Sequence, residues 1–178
     1  MSKRLKRISA CLLCLILVAA AVWGYYMIRR GPEIAIFHDY GVHFRDWPFV
    51  VSRKMHLDLG EAHELEEENE TKYKVETNLF GVGSTLFFSF FGGRQLSEVS
   101  INMPMDDPAE IRERFQEFVA MIESAYEGKA EFSKDDIVYT DEHEYKIDMS
   151  FRDSGATGVY YKIKATDKGL TISCSYIF

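Results

Sequence analysis

Only 4 of the 178 residues are proline and 3 are cysteine. So little proline excludes a polyproline spacer, and 12 glycines without a repeat exclude a collagen-like chain. Three cysteines are too few to staple a small fold with disulfides. No H-E-x-x-H run is present, which removes the common helical zinc motif. No G-x-S-x-G is present either. Gly81-x-Gly83-Ser84 lacks the last glycine of a nucleophile elbow, and a strand rather than a helix is predicted to follow. The same order leaves no helix N-terminus to face a phosphate. Acidic side chains are missing altogether from residues 1–30.

What is present is apolar and aromatic: 47% hydrophobic residues, with 14% aromatic, supply a core and exclude a wholly disordered chain. The length suits one domain plus an appendage. The net charge of −7 divides unevenly. Residues 1–30 carry six basic groups and no acid, whereas the remainder carries 15 basic and 28 acidic groups, a net −13. A domain this acidic is repelled by nucleic-acid phosphates, so no nucleic-acid partner is expected.

Residues 8–28, ISACLLCLILVAAAVWGYYMI, contain no charged side chain. A helix of that length, at about 1.5 Å per residue, matches a hydrocarbon core of about 30 Å. Trp23, Tyr25 and Tyr26 gather at its carboxyl end, where amphipathic rings favour the interface. Lys3, Arg4, Lys6 and Arg7 precede it, and the positive-inside rule places them in the cytoplasm. The expected organisation is a cytoplasmic tail (1–7), a transmembrane anchor or uncleaved signal (8–28), an aromatic-rich juxtamembrane segment (29–50) and an extracytoplasmic domain (51–178). Ala19-Ala20-Ala21 also allows a cleaved signal peptide, although cleavage there exposes an apolar new terminus. Cys11 and Cys14 have C-x-x-C spacing but lie inside the apolar run, where a thiol acts as a small apolar group.

The pattern of the folded part predicts an α+β domain: an antiparallel β-meander, one amphipathic helix, then a second antiparallel β-meander. Met55, Leu57 and Leu59 alternate with polar residues and predict a strand, and 61–70 reads as an acidic exposed loop or frayed helix. Tyr73, Val75 and Thr77 begin the next strand, and 85–91 (TLFFSFF) is strongly β-prone. Gly92-Gly93 predicts a two-residue hairpin turn leading to Val99, Ile101 and Met103. Asp107, Pro108 and Glu110 signal a helix start, and Ile111, Phe115, Phe118, Ile122 and Tyr126 recur at helical steps before Gly128. Glu110 and Arg114, four apart, are expected to pair. Three alternating runs follow, led by Tyr145, Val159 and Leu170, and strict alternation implies one buried and one wet face.

For chemistry, His56, Asp58, Glu61 and His63 form a weak candidate metal cluster, with His56 and Asp58 on one face of the expected strand. Asp135-Asp136 and the run from Asp141 through Glu142 and His143 to Glu144 read as solvated loops. Asn69-Glu70-Thr71 matches a glycosylation sequon. Cys174 alternates with apolar neighbours and is expected to be buried. No catalytic residue, cofactor or metal is assigned. The most unusual stretch is 37–49, where five aromatics intermix with His38 and His43. As a partner-binding surface it would use His38, Tyr40, His43, Phe44 and Trp47. The alternative is that these rings cover a face of the sheet. The expected function is a non-enzymatic, membrane-anchored, extracytoplasmic protein-binding module. It would act as an inhibitor or immunity-type factor toward an envelope or secreted protein, with a basic partner favoured by charge. The alternatives are a structural subunit of an envelope or secretion complex, and a metal-dependent enzyme.

Overall fold

The computed structural model describes residues 3–29, 31–60, 63–65, 69–129, 131–141, 144–152 and 157–177. The chain forms two compact units, Met1–Arg30 and Gly31–Phe178. In the first, helix α1 runs from Lys3 to Arg29. Its described apolar side chains, Leu12, Leu15, Ile16 and Val22 among them, are exposed. Among the described residues, no helix is long and apolar enough to cross a membrane.

The second unit is α+β. Among the described residues, nine strands make one antiparallel sheet: β1 (His63–Leu65), β2 (Glu70–Leu79), β3 (Val82–Phe91), β4 (Gln95–Pro104), β5 (Phe132–Lys134), β6 (Val138–Tyr139), β7 (Tyr145–Arg152), β8 (Gly158–Thr166) and β9 (Gly169–Ile177). The spatial order is β1-β2-β3-β4-β9-β8-β7-β5, with β6 on β7 beside β5. Both expected meanders are present, and they join edge to edge because β4 pairs with β9, Val99 opposite Cys174 and Ile101 opposite Ile172.

Alternation decides the faces. Leu86, Phe88, Val99, Ile101, Ile163 and Ile172 lie on one face and are fully buried. Each such side chain contributes about 1.5–3 kcal/mol by leaving water. Helix α3 (Pro108–Tyr126) covers part of this face with its predicted stripe and Val119. Asp107 caps it, accepting from the Ala109 N–H at 2.9 Å. Arg114 bonds Glu117 at 2.8 Å, so its observed partner is one turn after it rather than Glu110.

The remaining cover comes from residues 31–55, through a 3₁₀ helix (Ala35–Tyr40) and α2 (Pro48–Met55). Helix α2 and its exit replace the strand expected around Met55, Leu57 and Leu59. Pro48 starts the helix, Val51 and Met55 bury one face four residues apart, and His56 ends it with φ 53°. A period of two over five residues is satisfied equally by a helix end and the loop after it. The acidic stretch also differs from expectation, because His63–Leu65 is a strand on β2; residues 61–62 and 66–68 lie outside the described residues.

Turn chemistry fits two glycines closely. Phe80 and Gly81, with φ 53° and 83°, make the two-residue turn between Leu79 and Val82, as a primed turn requires. Gly169, at φ 125°, passes against the seam strand, where a Cβ would run into the Met103 carbonyl oxygen. The β3–β4 hairpin has three turn residues, not two, since Phe91 pairs with Gln95. A register shift between Ser89 and Phe90 accompanies it, and Ser97 donates its hydroxyl to the Ser89 carbonyl at 3.0 Å.

One polar group crosses this core. The Tyr161 hydroxyl on β8 accepts from the Ala35 N–H at 3.0 Å and lies 3.0 Å from the Tyr126 hydroxyl of α3. Tyr126 in turn reaches the Glu33 carbonyl at 3.5 Å. The assignment that satisfies both hydroxyls has Tyr161 donating to Tyr126 and Tyr126 donating to Glu33. Strand, helix and N-terminal segment therefore meet at two oxygens. Tyr161→Phe leaves the Ala35 N–H without its acceptor and should cost about 1–3 kcal/mol, whereas Tyr126→Phe should cost about 0.5–1.5 kcal/mol. Urea unfolding of the full chain, followed by circular dichroism, checks the order.

Burial pushes both tyrosines and the Cys174 thiol up from their ordinary values. An unfolded chain then releases these protons before the folded one does, so stability is intact below the unfolded values and falls as pH rises through them. The decline should begin past about pH 9, with the thiol, and steepen past about pH 10, with the tyrosines. Cys174→Ala should remove the earlier component; a decline that still begins near pH 9 in that variant contradicts the assignment.

Candidate functional site

Two surfaces of the second unit present unusual groups. The first is built on residues 31–55. Gly31 donates its N–H to the Phe44 carbonyl, Phe44 to that of Pro32, and Ile34 to that of Val42, each at 3.0 Å. This backbone ladder leaves no room at Gly31, where a Cβ would sit 2.9 Å from the Phe44 carbonyl oxygen. The turn that follows is organised by one carboxylate. Asp46 is fully buried, accepts from the His43 N–H at 2.9 Å and pairs with the Lys54 ammonium at 2.8 Å. Lys54 also donates to the Gly41 carbonyl. A buried carboxylate is tolerated only when paired and hydrogen-bonded, and both conditions hold here. Backbone bonds between Arg45–Asp46 and Leu96 attach the turn to β4 (Arg45 N–H to Leu96 O 2.8 Å, Leu96 N–H to Asp46 O 3.0 Å).

The structure sorts the five residues singled out in this stretch. Phe44 is not at the surface: it is fully buried and stacked on Tyr176 at 5.4 Å, so it belongs to the core. His43 turns its Nδ1 to the Gly31 carbonyl at 3.1 Å. His38 is exposed and lies 3.3 Å from Glu33. Tyr40 is exposed and edge-on to the buried Phe37. Trp47 is 43% exposed and sits edge-on to Phe49, itself 66% exposed, with ring centres 5.9 Å apart. Trp47 and Phe49 therefore form a paired aromatic surface, and Phe49 is the member that sequence spacing did not single out. The signal was its place in the first turn of a short helix begun by Pro48.

The second surface is the open face of the sheet. Ser133, Ser150, Tyr160 and Ser175 stand opposite one another across β5, β7, β8 and β9. The next row holds Asp148, Lys162, Ser173 and Ser100. Ser100 and Ser173 hydroxyls are 3.2 Å apart. Asp135 adjoins Asp148, donating its N–H to the Asp148 carbonyl at 3.0 Å. Lys164 and Lys146 face each other in the row beyond. Short serines beside Asp148, Lys162 and Tyr160 make a groove of about 470 Å³, lined also by Asp135. No sequence motif marks it, because its members recur at every second position on separate strands.

In the weak metal cluster, His56 and Asp58 do not share a strand face. His56 caps α2, and Asp58 accepts from the Gly60 N–H at 3.0 Å. Glu61 lies outside the described residues, as do Glu142 and His143. Among the described residues, no three His, Cys, Asp or Glu side chains gather as a metal site. Asp141 accepts from the Glu144 N–H at 2.9 Å and so closes a turn. Cys174 is fully buried. No family model, no curated protein and no solved structure matches the chain.

The turn carrying Trp47 depends on Asp46. Asp46→Ala should cost about 2–4 kcal/mol, because it strands the His43 N–H and the Lys54 ammonium together. It should also change the emission of Trp47. Chemical denaturation with fluorescence detection checks both.

Proposed function

We propose that the chain is a membrane-anchored, extracytoplasmic protein-binding module, an inhibitor or immunity-type factor for an envelope or secreted protein. The observation that carries the binding reading is the Trp47–Phe49 pair, two large rings left exposed where a turn held by the buried Asp46 carboxylate enters helix α2. Exposed aromatics on a rigid support bind with little loss of conformational freedom and are frequent hot spots. Tyr40 and His38 are exposed in the same segment. The net −13 of residues 31–178 favours a partner with a basic surface and speeds its encounter.

The anchor reading is supported by α1. Leu12, Leu13, Leu15, Ile16, Leu17, Val18 and Val22 are all exposed. At about 100° per residue they point around the whole circumference of the helix. A helix apolar all round is stable in lipid or in a protein core, not in water. The flanking basic residues set the orientation, with the second unit outside the cytoplasm.

Three measurements test this. The chain should stay with membranes through alkaline carbonate extraction, and external protease should reach the second unit in intact cells. Crosslinking with mass spectrometry in the native membrane should recover one dominant protein. That capture should survive a combined His38→Ala, His43→Ala and His56→Ala change. It should weaken by about thirtyfold in Trp47→Ala/Phe49→Ala, the size of a 2 kcal/mol hot spot. Undiminished capture in the double aromatic variant would remove these rings from the interface.

A further inference from the structure

We propose that the groove on the open face of the sheet binds an extended oligosaccharide, one whose sugars are uncharged or carry amino groups. This stands apart from the protein-binding reading, since it uses the opposite face of the sheet from residues 31–55 and does not involve Trp47 or Phe49.

The shape comes first. The serine row crosses from β5 through β7 and β8 to β9, three inter-strand steps of about 4.8 Å, or about 14 Å. Glu98 on β4, opposite Ser175, extends the row by one more step. The row therefore runs perpendicular to the strands over a length that suits a linear chain of a few rings.

The lining comes next. Hydroxyls of Ser133, Ser150, Ser173 and Ser175 can each donate and accept, as sugar hydroxyls require. Asp148 and Asp135 supply acceptor-only carboxylates, and Lys162, opposite Asp148, supplies a donor. Tyr160 interrupts the serine row with a ring 38% exposed. The electron-rich face of such a ring attracts the C–H groups on a sugar's flat side. An apolar peptide would gain little from this lining, because it would desolvate hydroxyls and carboxylates without pairing them.

Charge fixes the class of sugar. Asp135 and Asp148 outnumber Lys162 in the groove, and the unit around it carries −13. Uronate or sulfated chains are disfavoured, and neutral or amino sugars are accepted. Lys146 and Lys164, opposite one another just beyond the groove, are the feature that would instead attract a polyanion, and Lys164 is already paired with Glu144 at 2.7 Å.

The test is calorimetric titration of the full chain in detergent with three uncharged or amino tetramers: N-acetylglucosamine, glucosamine and glucose in β-1,4 linkage. A galacturonate tetramer serves as the anionic control. Saturable binding of at least one of the first three is expected, weakened about tenfold or more by Tyr160→Ala through loss of the ring platform. Asp148→Asn should weaken the amino tetramer more than the neutral ones. Both positions lie on the open face, so circular dichroism of the variants should match the parent. The proposal is overturned if none of the three binds up to about 10 mM. It also fails if Tyr160→Ala binds within about twofold of the parent. Tighter binding of galacturonate would overturn it in favour of an anionic polymer on the lysine row.

Discussion

A sheet with one apolar face has to be roofed, and one helix is not wide enough to do it. Helix α3, about 10 Å across, spans two or three strands at about 4.8 Å each. It lies over β8 and β9 and touches β7 through Phe115 and Tyr145, whose ring centres are 4.8 Å apart. The strands on the other side of the seam would face water without residues 31–55. Ile34, Ile36, Phe37, Val42 and Phe44 are buried in that segment; Phe37 lies 6.5 Å from Phe88 on β3, and Phe44 stacks on Tyr176 of β9. The hydroxyls of Tyr161 and Tyr126 fasten the two halves of the roof together, because each would be costly to bury alone. The aromatic stretch after residue 30 is thus first a structural necessity. Only the rings left over, Trp47, Phe49 and Tyr40, are available for anything else.

That division explains how far the sequence could be read. Helix α3 and strands β2–β4 and β7–β9 were legible because each repeats one period over several turns or several alternations, with the cap at Asp107 agreeing. Helix α2 was not, since eight residues offer too few periods to outvote the alternation of Met55, Leu57 and Leu59. The β4–β9 pairing was invisible for a different reason. Alternation says which face a residue takes, not which strand stands beside it. The aromatic stretch was ambiguous because both expected uses, binding surface and sheet cover, want the same residue types. Phe44 and Trp47 look alike in composition and end on opposite sides of the boundary between core and water.

The two candidate surfaces differ in how they are supported. Trp47 and Phe49 sit where a turn enters helix α2, and that turn is held by a buried carboxylate and by backbone bonds to β4. The open-face groove sits on strands, of which β7, β8 and β9 are held by hydrogen bonds on both sides and β5 on one. Each arrangement keeps side chains in place before any ligand arrives, which is where most of the cost of binding is otherwise met. The pattern of charge separates them further. Acidic groups dominate the unit as a whole, while the lysines of the open face stand in cross-strand rows, several already matched by a neighbouring acid, as Lys74 is by Glu76 at 3.0 Å.

The seam between β4 and β9 also sets an order of events. Each meander pairs near neighbours in sequence. Glu98, however, meets Ser175, and Met103 meets Leu170. Such long-range closure is slow relative to hairpin formation. Until the chain through Ile177 is present, the first meander carries a bare edge at β4 and half a roof. It is in that interval, during synthesis, that an unpaired strand would be open to capture by another chain or a chaperone. Strand β9 acts as the zip that closes the fold, and the tight fit of Gly169 against Met103 lies at the point where its pairing with β4 reaches Pro104.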